Sequence, residues 1–230
     1  MDAVALTDHG AMYAAADFYL AARDRGIRPI IGCEVYVAPR AHTDRDPTLD
    51  RRAYHLTLLA RNLEGYQNLV RLVSRASLDG FNYKPSEDRD LLRTHASGLI
   101  CLSGCPSSEL SRALAQDDHI QAEAIARWHA DVFGPENYYI ELQRPGLPEQ
   151  EPLVHNLIGL ASSLGLPVVA SNDVHYLTPA DKDAHDILLC IQTGSRVEDT
   201  DRMRMEGDWH LKSPEEMTQA FGDQPDALAN

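Results

Sequence analysis

The chain has 230 residues, 43% of them apolar, which suits one domain with a sizeable core or two small ones and argues against disorder. Its 21 basic and 35 acidic residues give a net charge of −14, the opposite of the basic stripe that a duplex-DNA binder presents to phosphates. No apolar run approaches the roughly 18–20 residues that span a bilayer, and no basic-then-apolar leader opens the chain, so a cytoplasmic protein without membrane contact is expected.

Short β-branched runs alternate with helical patterns, which predicts an α/β fold with mainly parallel strands. In chain order, strands are expected at Val4–Thr7, Pro29–Val37, His55–Ala60, Leu99–Leu102, Tyr138–Leu142 and Pro167–Ala170. Helices are expected between them. Ala14–Arg25 stops at Gly26, and Leu63–Ser77 follows Asn62, a good capping residue. His119–Phe133 closes at Gly134-Pro135 and Pro148–Leu164 at Gly165. Thr178-Pro179 and Ser213-Pro214-Glu215-Glu216 announce two more helix starts, the second as a capping box. Phe81–Asp90 and Glu198–Asp208 read as loops, and the scattered Tyr and Phe residues as core rather than a platform for stacking bases. Neither end carries a finishing turn or cap, so the sequence reads as an internal piece of a longer chain, with Met1 an internal methionine. Cys33, Cys101, Cys105 and Cys190 form no C-x-x-C pair and no disulfide framework; three of them read as small buried apolar groups.

Metal-ligand residue types gather near strand ends. Asp8 and His9 follow the first strand, Glu34 lies inside the apolar Ile30–Val37, Cys105 follows Leu99–Ser103, and Asp173 and His175 follow Val168–Asn172. Loops at the C-terminal ends of parallel strands converge, which would bring these groups to one mouth. His55 fits less well, because it begins its strand. Imidazole and thiolate suit zinc, and carboxylates bridge paired ions or accept manganese. The D-x-H spacing puts Asp173 and His175 on one face of an extended segment. Plainer roles exist for each: helix capping for Asp8, His9 or Asp173, an arginine ion pair for Glu34, packing for Cys105, and structural or surface positions for His55 and His175. The seven other histidines read as structural or solvated.

Read together, Ala5-Leu6-Thr7-Asp8-His9-Gly10, Gly32-Cys33-Glu34-Val35-Tyr36, His55–Asn62, Gly65–Leu69, Leu102–Cys105 and Ser171–Tyr176 resemble, in order, the PHP (polymerase and histidinol phosphatase) domain of bacterial replicative polymerase III alpha subunits. Ala184-His185-Asp186 and Ser213–Met217 extend the resemblance over the whole chain. It implies a distorted (β/α)7 TIM-like barrel over residues 1–195, N-terminally truncated, followed by a connecting segment, 196–230, toward a polymerase palm domain. It also implies a centre of two to three Zn2+ or Mn2+ ions held by Asp8 or His9, Glu34, His55, Cys105, Asp173 and His175, with the family's opening H-x-H pair and one barrel strand missing. The implied activity is 3′–5′ exonuclease action during DNA replication, the alternative a scaffold without catalysis of its own. Polymerisation and its Mg2+ would lie outside this chain. Implied partners are the other domains of the alpha subunit, the proofreading exonuclease subunit, the sliding clamp, and DNA held by the full-length polymerase.

Overall fold

The computed structural model describes all 230 residues. Its strands are β1 (Ala3–Leu6), β2 (Arg28–Val37), β3 (Tyr54–Ala60), β4 (Phe81–Asn82), β5 (Lys84–Glu87), β6 (Leu99–Leu102), β7 (Tyr138–Gln143) and β8 (Val168–Ser171). The longer helices are α1 (Ala15–Asp24), α2 (Leu63–Leu78), α5 (His119–Phe133), α6 (Glu151–Leu164) and α7 (Lys182–Thr193). Shorter ones are α3 (Arg89–Thr94), α4 (Glu109–Ala115), α8 (Pro214–Phe221) and α9 (Pro225–Ala229). All six expected strands are present within a residue or two. Asn62 caps α2 by accepting from the Gly65 amide, and Ser213 forms the expected capping box.

The strands form one curled sheet in the order β4-β5-β2-β3-β6-β7-β8, with β1 beside β2. It is mixed rather than mainly parallel. β1 and β5 run parallel to β2, and β7 parallel to β6 and β8, but β3 runs antiparallel to both β2 and β6. The segment read as a loop, Phe81–Asp90, holds a tight hairpin, β4–β5, and the start of α3. Pro85 hides that strand from a propensity reading, because proline is confined to edges and bulges.

Strand register divides the sheet into two chemically distinct faces. Paired residues share a face and neighbours along a strand alternate. Cys33, Val35, Val37, Leu56, Leu58, Cys101, Tyr138, Ile140 and Leu142 therefore point the same way, and all belong to a single apolar core under the helices. Glu34, Tyr36, His55, Thr57, Glu141 and Ser171 fall on the other, inner face. One face stabilises the fold; the other carries the polar groups. Residues 196–230 dock on the same body, because Phe221 and Ala227 enter that core and Asn230 donates to the Val168 carbonyl.

Candidate metal centre

The reversed direction of β3 resolves the position of His55. Since β3 runs against its neighbours, its first residues lie at the mouth where β2, β6, β7 and β8 end. Tyr36 pairs with His55 and Glu34 with Thr57, so Glu34 and His55 project from one face one step apart. His55 Nδ1 lies 2.5 Å from Glu34 Oε1, and His9 Nε2 lies 3.4 Å from the same oxygen. Donor atoms of His9, Glu34 and His55 all lie within 4.8 Å of one another.

Two local devices fix this arrangement. Beyond β1 the chain keeps pairing with β2: the Glu34 amide donates to the Asp8 carbonyl, the Gly10 amide to the Glu34 carbonyl, and His9 stands beside Glu34. The Gly104 turn after β6 passes so close to β3 that a Cβ there would come within 2.7 Å of the His55 carbonyl, and its φ of +87° independently demands glycine. That turn delivers Cys105, whose Sγ is 3.5 Å from His55 Nδ1 and 3.8 Å from Glu34 Oε1.

Asp173 and His175 follow β8, but not on an extended segment. Asp173 has φ +50°, a strained left-handed conformation for an aspartate. The kink brings Asp173 Oδ1 to 3.8 Å from His175 Nδ1, which also lies 2.9 Å from the Asp173 carbonyl. Donation to that carbonyl fixes the tautomer and leaves Nε2 as the free ligand atom, the usual arrangement of a metal-binding histidine. The His175 ring is 6.1 Å from that of His9, centre to centre, and 5.6 Å from that of His185.

Asp8 stands apart from the other expected ligands. Its side chain makes no hydrogen bond or ion pair with any of them, whereas His9, itself exposed, reaches Glu34. Adjacent residues of an extended segment face opposite ways, so His9 turns inward and Asp8 outward.

The electrostatics of the pocket are those of a shared charge. Burial alone would raise the Glu34 carboxyl, but hydrogen bonds from His55 and His9 outweigh it and hold it at about 2. The Glu34 bond in turn raises His9. Burial, then the Glu34 charge, pushes the Cys105 thiol up, and burial raises Asp173. A cation is the natural complement to such a set of nitrogen, oxygen and sulfur donors.

One inner-face residue escaped the sequence reading. Glu141 is fully enclosed and accepts from Ser171 Oγ at 2.5 Å, the Gly104 amide at 3.1 Å and Gln143 Nε2 at 3.2 Å. Burial lifts it to about 7 despite those bonds. It ties the turn before Cys105 to the strand before Asp173. The signal was present, since Glu141 interrupts Tyr138–Leu142 as Glu34 interrupts Ile30–Val37.

Among the other histidines, His129 is buried in the core, with Nδ1 2.9 Å from the Ile125 carbonyl, and burial lowers it to about 4. His42 pairs with Asp88 near the start of α3. Three of the four cysteines (Cys33, Cys101 and Cys190) are buried, as expected. No helix is long and apolar enough to cross a membrane.

A family model described as "PHP domain" matches residues 1–145. The DNA polymerase III subunit alpha of Treponema pallidum is 46% identical over 231 aligned residues, covering all of this chain and 20% of that protein. The subunit of Thermus aquaticus is 45% identical, covering 97% and 19%. The chain thus spans about a fifth of the length of these relatives. An amidohydrolase structure from Chromobacterium violaceum aligns with TM-score 0.40 and 16% identity over 76% of this chain and 77% of that one. With the family model covering more than half of its length, and similarity to polymerase III alpha subunits along the whole of it, the chain belongs to the PHP domain family.

Proposed function

We propose that this domain is a metal-dependent phosphoesterase acting as a 3′–5′ exonuclease within a replicative DNA polymerase III alpha subunit. The observation that carries the reading is the convergence of His9, Glu34, His55 and Cys105 on one oxygen-centred cluster, with Asp173 and His175 at the same mouth. His9, Glu34, His55, Cys105, Asp173 and His175 would hold two to three zinc or manganese ions. Such ions supply an activated water and charge stabilisation for phosphoester cleavage. Glu34 would provide the central negative charge between His9 and His55. His175 is oriented by the Asp173 carbonyl. In this reading polymerisation and its Mg2+ belong to other domains, the replicase's proofreading subunit and clamp are partners of the whole subunit, and the protein works in the cytoplasm. Residues 1–195 form the barrel and 196–230 the connection toward the palm.

A second reading is favoured by one observation. The net charge of −14 opposes delivery of a DNA strand, which would suit a scaffold whose ligand cluster stabilises the fold rather than catalysing. Asp173→Ala and His175→Ala in the full-length protein separate the two, read by hydrolysis of single-stranded DNA and by melting. Loss of about 100-fold or more in hydrolysis at an unchanged melting temperature supports the enzyme. A large fall in melting temperature, with no hydrolysis in the parent protein, supports the scaffold.

A further inference from the structure

A cleft of about 320 Å³ opens beside the metal centre, with Tyr36 and His55 in its wall. It lies between the segment that leads into β3, the β4–β5 hairpin and the side of α4. On a chain of net charge −14, this cleft collects Arg51, Arg52, Lys84 and Arg112. None of the four has an acidic partner within ion-pair distance. Two acids also line it, but both are engaged: Arg40 donates to Asp50 at 2.9 and 2.6 Å and lies 3.7 Å from Asp44. Cations are left in excess where the rest of the surface is acidic.

The cleft is joined to the metal centre through one side chain. Lys84 Nζ donates to the Tyr36 hydroxyl at 2.8 Å and sits 4.4 Å from the ring centre. Tyr36 also meets His55 edge-on, ring centres 5.1 Å apart. Arg112 is held over the Tyr54 ring at 5.2 Å. Negative charge in the cleft would therefore lie next to the ligand cluster.

At the rim stands Tyr83, the single residue at the tip of the β4–β5 hairpin, 72% exposed. Its φ is +62°, a conformation that glycine would adopt without strain and a tyrosine does not. An exposed aromatic ring beside unpaired cations is the combination that binds single-stranded nucleic acid, with phosphates on the cations and a base on the ring. A paired, stacked base could not reach the ring face.

We infer that this cleft is the binding subsite for the single-stranded end of a DNA chain, with Arg51, Arg52, Lys84 and Arg112 on its phosphates and Tyr83 stacking a base. The inference rests on the phosphodiester reading above and adds where the strand lies. It also removes the difficulty raised by the net charge, because the approach to the centre is locally basic.

The test uses the full-length protein in EDTA, so that binding is read without hydrolysis. A short oligothymidylate carrying 5-iododeoxyuridine near its 3′ end is photo-cross-linked and the attachment mapped by mass spectrometry. The expected result is a cross-link on the peptide containing Tyr83, with yield falling about tenfold in an Arg51→Ala/Arg52→Ala protein as two phosphate contacts are lost. Both arginines are exposed and free of hydrogen bonds, so an unchanged melt is expected. Asp173→Ala should leave the cross-link intact while abolishing hydrolysis, so that failure of the catalytic reading and failure of this one are told apart. Cross-links mapping only outside residues 51–55 and 81–86, or a yield unchanged in the double variant, would overturn the assignment.

Discussion

Glu87 gives the sharpest test of how this core is built. It ends β5 opposite Val37, on the face that packs under the helices. Only 1% of it is exposed, and its Oε2 has no hydrogen-bond partner. Burial raises its carboxyl from the ordinary 4.5 to about 8, because the charged form is the one that loses hydration. Below pH 4.5 the group is neutral in both folded and unfolded chains and contributes no pH dependence. Between 4.5 and about 8 the folded chain keeps a proton that the unfolded chain releases, so stability falls as pH rises. At about 1.4 kcal/mol per tenfold change in proton affinity, the ceiling is on the order of 5 kcal/mol, lowered by any water that enters. Glu87→Gln keeps the shape and removes the titration, although its amide brings a constant cost of its own. The assay is urea denaturation of variant and parent at pH 5 and pH 8. The variant should gain several kcal/mol relative to the parent between the two. A difference that stays constant across that range would refute the account.

Three further outcomes follow from the packing. Gly65 lies in α2, where glycine to alanine usually adds about 1 kcal/mol; here a Cβ would meet the Gly98 carbonyl oxygen at 1.8 Å, so Gly65→Ala should cost about 3 kcal/mol in urea denaturation. Glu141→Gln leaves Ser171 and the Gly104 amide less firmly held, and should weaken metal binding by roughly 10–100-fold in chelator competition. Arg144 donates to the Ala220 carbonyl at 2.8 Å and to both Asp223 oxygens while covering the Phe221 ring. Arg144→Ala should therefore expose residues 213–230 to limited proteolysis while the rest of the domain resists.

The strands were legible because those covered by helices are continuous apolar runs, and a carboxylate inside such a run, as at Glu34, has to be compensated. The same logic applied to Glu141 would have exposed it. Strand direction was not legible: nothing local in Tyr54–Ala60 tells whether it pairs parallel or antiparallel, and that choice alone moves His55 to the mouth. The choice between Asp8 and His9 depended on the pairing of that segment with β2, again a non-local fact. Tyr83 looked like core because exposure is set by the hairpin it tips, and Pro85 masked the hairpin.

The inversion of β3 has a consequence for how this mouth can vary. In an all-parallel arrangement, only the loops that leave strands surround the centre, and those that enter strands lie at the far end, out of reach. Here the arch from Ala38 to Ala53, which enters β3, is carried round to the working side, and it bears Arg51 and Arg52. Lengthening or shortening that arch would reshape the approach for a strand while His9, Glu34 and His55 stay fixed on their own scaffolding. Reach and chemistry are thereby placed on separate stretches of chain, free to change independently.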